Sequence, residues 1–270
     1  MIYITGDTHA DFHRFSKYNF PEQNELTEND TMIILGDFGG IWCNDPNARW
    51  RFGVANIPEE NYWLDWLNDK PYVTCFVDGN HENYGRLYSD EFPIVDFHGG
   101  KAHEIRDKVF HLMRGYVFDF DGKKCFVMGG ASSHDIKDGI MEMEDYKDRR
   151  GFVNAYNRRQ AQGKYFRVNK MSWWEREIPT EEEFERGKQN LEKCGYKVDY
   201  VFTHTFPHSI CSLVGFYDAD AVEKYLDELL DNGLEFKEWH GGHLHFTGRA
   251  LAPKFYCHFK EIIPLVEPYE

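Results

Sequence analysis

Apolar positions in this chain fall into short β-rich runs, set apart by longer stretches with helical spacing. Ile2-Tyr3-Ile4, Met32-Ile33-Ile34-Leu35 and Tyr72-Val73-Thr74-Cys75-Phe76-Val77 are nearly continuous apolar runs, the pattern of strands buried on both faces. Between them a short helix is predicted from near Asp11, then a longer helical stretch with Trp50, Trp63, Trp66 and Leu67 as core candidates. This alternation predicts a parallel or mixed sheet covered by helices. From Ile94 to Met128 the pattern changes. Lys101–Ile105, Val109–Met113, Tyr116–Phe120 and Lys124–Met128 read as antiparallel ribbons, with Asp121-Gly122 as a hairpin turn. Helix and strand then return. Thr180 and Glu183 form a capping-box pattern opening a helix to about Lys193. A second helix is predicted from near Asp218, with Val222, Tyr225, Leu226, Leu229 and Leu230 on one face and Gly233 as its stop. Strands at Tyr200-Val201-Phe202, Lys237–His240 and Phe255–Phe259 complete the expected core.

No repeat or low-complexity linker divides the chain, so residues 1–270 are expected to form a single α/β (α+β) domain. One segment departs from the alternation. After Gly129-Gly130-Ala131-Ser132-Ser133, the stretch from Lys147 to Lys170 holds Arg149, Arg150, Arg158, Arg159, Lys164 and Arg167, with Tyr156, Tyr165 and Phe166 interleaved. It reads as a basic, cap-like insertion at about residues 131–175. Its bland reading is a solvated surface excursion. The sharper one is a cap whose Arg149, Arg158 and Arg159 contact a substrate phosphate or a stacked base.

The net charge of −15 disfavours sequence-independent binding to nucleic acid, which depends on Lys and Arg neutralising phosphates. It leaves phosphate substrates open, because bound divalent cations can be the largest charges in a site. No run is long and apolar enough to span a bilayer, and no secretory leader is expected before the strand at Ile2. The 6 cysteines include no Cys-x-x-Cys pair, so a reduced, cytoplasmic setting is expected.

Five of the apolar runs are each followed by metal-binding side-chain types: Gly6-Asp7-Thr8-His9, Gly36-Asp37, Gly79-Asn80-His81-Glu82, Thr203-His204 and Gly242-His243-Leu244-His245. In α/β proteins, ligand groups collect beyond the carboxyl ends of strands. Any one segment alone would be an ordinary polar turn. Together they predict one centre of mixed carboxylate and imidazole donors. Two metals about 3.5–4 Å apart, sharing a carboxylate and a bridging water, would neutralise a phosphoryl group and supply a nucleophile. Asp37, among Gly36, Gly39 and Gly40, is the natural bridge. Asp7 with His9, and His243 with His245, share an i, i+2 spacing. Among the remaining histidines, His134 and His208 are expected nearest the site. Trp42, Trp173 and Trp174 are expected to pack the core or the cap.

These blocks resemble, in order and over residues 6–245, the signature of the calcineurin-like metallophosphoesterases, with a weaker likeness of Gly129 through Trp173-Trp174 to the small bacterial and phage-type members. The resemblance implies a β-sandwich flanked by helices, a four-layer αββα arrangement. It implies Asp7, His9, Asp37 and His245 around one metal, and Asp37, Asn80, His204 and His243 around a second. It implies a phosphatase or phosphodiesterase in which a metal-bridging hydroxide attacks phosphorus and His81 assists the leaving group. Mixed ligands of this kind accept manganese, iron, zinc or cobalt, with manganese favoured. The substrate would be a small phosphate mono- or diester or a nucleotide. The chain departs from the protein Ser/Thr phosphatase branch, which carries an aspartate and an arginine where Gly40 and Ile41 stand here. That leaves the partner orienting His81 unassigned. The competing reading is a non-catalytic scaffold with the same fold, used for protein contacts.

Overall fold

The structure is a computed structural model and describes residues 1–43 and 57–265. Trp50 lies outside the described residues. The first half holds strands β1 (Ile2–Thr5), β2 (Thr31–Leu35), β3 (Val73–Val77), β4 (Ile94–Phe97), β5 (Gly100–Arg106) and β6 (Val109–Leu112), with helices α1 (Ile57–Asn68) and α2 (Tyr84–Leu87). Next come β7 (Tyr116–Phe120) and β8 (Lys123–Met128), then two-residue strands β9 (Ile140–Met141) and β10 (Arg167–Val168) on either side of helix α3 (Arg149–Ala161). The chain continues through α4 (Glu181–Lys193), β11 (Tyr200–Thr203), α5 (His208–Leu213) and α6 (Ala221–Asp231). It ends in β12 (Glu238–Gly241), β13 (Arg249–Ala252), β14 (Phe255–Cys257) and β15 (Ile262–Pro264).

The fold is mixed α/β, with two large sheets. A seven-stranded sheet runs β15-β1-β2-β3-β6-β5-β4, and a six-stranded sheet runs β13-β14-β12-β11-β8-β7. The middle of each is parallel: β1, β2, β3 and β6 in the first, and β8, β11, β12 and β14 in the second. Antiparallel strands finish the edges, as in the β7–β8 hairpin, where Asp121 and Gly122 both take positive φ. That is the backbone a tight hairpin turn demands.

Strand alternation explains how the sheets pack. Ile2, Ile4, Ile33, Leu35, Cys75 and Val77 share one core cluster with Phe118, Phe120, Cys125, Val127, Tyr200 and Phe202 of the second sheet. The opposite parity, Tyr3, Met32, Ile34 and Phe76, meets Leu64 and Leu67 of α1 together with Phe12 and Phe15. On the far side of the second sheet, Phe126, Met128, Val201 and Trp239 pack with residues of α4 and α6. Each fully buried side chain of this kind contributes roughly 1.5–3 kcal/mol over its exposed state. An ion pair such as Lys197–Glu235, with side chains 74% and 71% exposed, contributes about 0–1 kcal/mol. The inter-sheet core therefore dominates stability.

Several elements differ in detail from the sequence expectation. The helix near Asp11 is a single 3-10 turn, Phe12–Phe15, capped by the Asp11 carboxylate. The helix expected from Asp218 begins at Ala221, because Asp220 caps it by accepting the Glu223 N–H. The capping box of α4 forms as expected. The basic segment contains a true helix, α3, whose Phe152 and Tyr156 join Met141 and Val168 in a small core of their own. Strand β15, too short to show in the sequence pattern, closes the first sheet against β1. Among the described residues no helix is long and apolar enough to cross a membrane.

Candidate functional site

Parallel pairing brings the carboxyl ends of β1, β2 and β3 to one edge of the first sheet, and those of β11 and β12 to one edge of the second. The five loops predicted to carry metal ligands leave from these ends and bond to one another. Thr8 and His9 donate backbone N–H groups to the Asp37 carbonyl at 3.2 and 2.7 Å, and Gly242 donates to the His204 carbonyl at 2.8 Å. Behind them, buried Asp78 accepts from Arg114 Nε at 2.6 Å and pairs with His111 Nε2 at 3.0 Å, anchoring the turn into Asn80. Close approach requires glycine at two positions. A Cβ on Gly79 would collide with Asp37 Oδ1, and one on Gly242 with Asp7 Oδ1.

Asp7, His9, Asp37 and His245 each aim one donor atom at a common point, all within 4.8 Å of one another. His245 Nε2 lies 2.9 Å from Asp7 Oδ2, and His9 Nε2 lies 3.7 Å from Asp37 Oδ2 and 3.2 Å from His245 Nε2. Donors about 2.0–2.2 Å from one central cation fall at roughly such separations. Asp7 Oδ1 accepts the His243 N–H at 3.1 Å, while the buried Oδ2 faces the His245 ring. His9, Asp37, His243 and His245 all adopt positive φ, between 43° and 59°. Non-glycine residues are uncommon there, and such outliers cluster at functional sites.

A second set faces the other oxygen of Asp37. His204 Nδ1 lies 3.0 Å from the Leu35 carbonyl, which can only accept, so the proton sits on Nδ1. Nε2 then looks at Asn80 Oδ1, 3.1 Å away, and Asp37 Oδ1, 3.4 Å away. Three acceptors converge, an arrangement that a cation or an additional proton reconciles. The Asn80 amide is oriented by Ser133, whose Oγ accepts from Nδ2 at 3.3 Å and donates to Glu177 Oε2 at 2.6 Å. His243 packs edge-on against His204, with ring centroids 4.8 Å apart, and its Nε2 lies 2.8 Å from His134 Nε2.

Electrostatics follow from this crowding. Burial opposes ionisation of Asp37, yet His204, His81, His9 and His243 hold its carboxyl well below the usual range. Burial, reinforced by His204 and His134, pushes His243 far below the ordinary imidazole value. The Asp7 hydrogen bond raises His245. His81 is pushed down to about 4, first by burial and also by Arg167 and His9, against the pull of Asp37.

His81 and His9 line a cleft of about 220 Å³, together with Gly39, Trp42, Asp135, Phe166, Arg167 and Ser172. Trp42 also packs edge-on against Trp174 over Tyr84. Glu82 does not touch the His81 ring. Its carboxylate accepts the Phe38 and Gly39 N–H groups at 2.7 and 3.3 Å and so shapes the loop after Asp37. The groups beside His81 are Arg167 and, behind it, Asp135. Within the basic insertion, Arg149 and Arg158 are exposed on α3, and Arg159 donates to the Asp138 carbonyl at 3.1 Å. None of these three lines the cleft; Arg167 does. His208 lies against Glu223 at 3.4 Å. Arg167, Asp135, Ser133 and Glu177 carry no spacing signal, although Arg167 belongs to the basic run. Compared with known proteins, the chain matches no family model and no curated sequence.

Proposed function

We propose that this protein is a dimetal phosphoesterase of the calcineurin-like type, close to the small bacterial and phage members rather than the protein Ser/Thr phosphatase branch. Asp7, His9, Asp37 and His245 would hold one divalent ion, and Asp37, Asn80, His204 and His243 the other, with Asp37 shared. The observation that supports this reading is the approach of Asp7, His9, Asp37 and His245, from three strand-end loops, to within 4.8 Å of one another, with the buried Asp7 Oδ2 facing the His245 and His9 rings at 2.9 and 3.9 Å. Two sheets sharing a core, with helices on their outer faces, support the expected sandwich. Manganese is favoured, with iron, zinc and cobalt also suited to the donor set. When bound, such ions supply charge neutralisation of a phosphoryl group and an activated water.

The chain's own residues would do the rest. Ser133 and Glu177 fix the Asn80 carbonyl toward the centre. Glu82 rigidifies the loop that presents Asp37. His81, beside His9 in the cleft, would assist departure of the alcohol. A small ester, in a reduced cytoplasmic setting, is the substrate class that a cleft of this size suits. The test combines metal analysis of the purified protein with assays of an aryl monophosphate and its bis-aryl diester across the four metals. Asp37→Ala is expected to lose both bound metal and turnover. His81→Ala is expected to keep metal and lose about 10²–10⁴-fold in rate. Full activity in Asp37→Ala would overturn the reading, and a wild-type protein that retains no metal and cleaves neither ester would favour the scaffold instead.

A further inference from the structure

The candidate metal donors gather at the carboxyl ends of β1, β2 and β3. A second recess, of about 460 Å³, opens at the other edge of the same sheet. There α1 turns into β3 through Lys70, and β5 turns into β6 through Lys108. Lys17 joins these two in the wall, and among the described residues Asp69 is the one acidic group lining it. Three cations against one carboxylate leave an excess of two positive charges, in a chain whose net charge is −15.

Lys70 is the unusual member. It is only 7% exposed, and a buried ammonium is costly unless it is paired. Its Nζ donates to the Phe15 carbonyl at 2.8 Å and lies 3.2 Å from the centre of the Trp66 ring. Both partners are uncharged, and the Phe15 carbonyl is already shared with Gln23 Nε2 at 3.0 Å. Among the described residues no carboxylate is in ion-pair contact with Lys70; the charge felt most at its amine is that of Lys17, which repels it. Asp69 is exposed, and Lys108 spends its own Nζ on the Lys70 carbonyl at 2.6 Å, with Glu28 3.9 Å away. Burial, with Lys17 adding to it, pushes the Lys70 amine down to about 8. Two of the three N–H groups of this ammonium therefore meet neutral partners, and the third is left for the recess it lines.

We propose that this recess binds a phosphate-sized oxyanion, free or carried on a small metabolite, between the Lys17 and Lys70 ammonium groups with Lys108 at its margin. The anion supplies the counter-charge that the fold withholds from Lys70. The site stands a strand's length from the metal donors and does not depend on the phosphoesterase reading. Binding is coupled to a proton. An adjacent dianion draws the amine back toward its ordinary 10.5, so the free protein takes up a proton as the anion enters. At pH 8 the free amine is about half deprotonated, which sets the uptake at about 0.5 proton per anion; at pH 7 it falls to about 0.1.

The experiment is calorimetric titration with sulfate, which does not itself titrate in this range, at pH 7 and pH 8 and in two buffers of different ionisation enthalpy. A chelator keeps the metal centre from taking anion, and chloride at matched ionic strength controls for screening. Wild type is expected to bind one sulfate with Kd below about 10 mM and to show the two uptakes given above. Lys70→Met, of similar length and uncharged, is expected to abolish the uptake. Lys17→Gln, at an exposed position, is expected to weaken binding about tenfold and keeps the test open if Lys70→Met fails to fold. Glycerol phosphate forms a second arm: binding at least tenfold tighter than sulfate assigns the phosphate of a small metabolite, and equal binding assigns the free oxyanion. Absence of saturable sulfate binding, binding with no proton uptake at pH 8, or binding unchanged by Lys17→Gln would each overturn the site. Metal content and ester cleavage are untouched by any of these results, so the two readings stand or fall separately.

Discussion

Glu177 gives the sharpest test of the buried polar chain behind Asn80. Its carboxylate is 2% exposed and accepts the Ser133 N–H at 2.8 Å and the Ser133 hydroxyl at 2.6 Å. Burial pushes its carboxyl up to about 7 from an ordinary 4.5, outweighing the Ser133 hydrogen bonds. A carboxyl whose folded value is raised holds its proton better folded than unfolded. Its favourable contribution is complete below about pH 4.5 and is lost as pH rises through about 7. Between pH 5 and pH 8 the loss integrates to roughly 2.5 kcal/mol. The perturbation is Glu177→Gln, which has the same shape and cannot ionise. Melting both proteins in a chelator at pH 5 and pH 8 isolates this one titration. The midpoint of wild type is expected to fall relative to the variant by about 4 °C over that interval, given the unfolding entropy of a chain this long. Two curves that stay parallel across the range would refute the reasoning. The same variant carries a functional cost, since the Gln amide presents N–H where Ser133 now finds an acceptor. Asn80 then loses its enforced orientation, and metal uptake is expected to weaken about tenfold.

Other outcomes follow from single contacts. Gly79→Ala should destabilise the protein by about 1–3 kcal/mol and lower its metal content, because the added methyl meets Asp37 Oδ1 and the Asp37 backbone; chemical denaturation and metal analysis check both. Arg149→Glu and Arg158→Glu should leave KM for a small aryl phosphate within about twofold, since both side chains stand on the exposed face of α3; a large rise in KM would return the insertion to the role of a phosphate-binding cap.

The sequence made the strand-end loops legible because their signal is local: an apolar run of strand length, a glycine, then a donor at fixed spacing. Parallel pairing does the rest, and Asp7, His9, Asp37 and His245 each bring one donor atom within 4.8 Å of the others. The basic insertion was legible only as composition. Which of its arginines enters the cleft depends on the register of two-residue strands, β9 with β10, and no periodicity reports on pairing that short. Arg149 and Arg158 fall on the outer face of a helix, while Arg167 falls where Asp135 can grip it. Ser133 and Glu177, 44 residues apart, illustrate the same limit, for nothing in either neighbourhood marks it as a hydrogen-bond partner of the other. Glu82 was visible beside His81, but its work on the Phe38 and Gly39 amides is a tertiary fact.

The donors come from both halves of the molecule. Asp7, His9, Asp37 and Asn80 hang from the seven-stranded sheet, while His204, His243 and His245 hang from the six-stranded one. A cation shared between Asp37 and His204 would be a rivet driven through the seam. Loading would lock the two halves in alignment, and stripping it would leave the apolar seam and a few hydrogen bonds, such as His243 N–H to Asp7 and His204 to the Leu35 carbonyl, to keep them in step. Chemistry and architecture would then rest on the same few atoms, and a change that loosens one must be felt in the other.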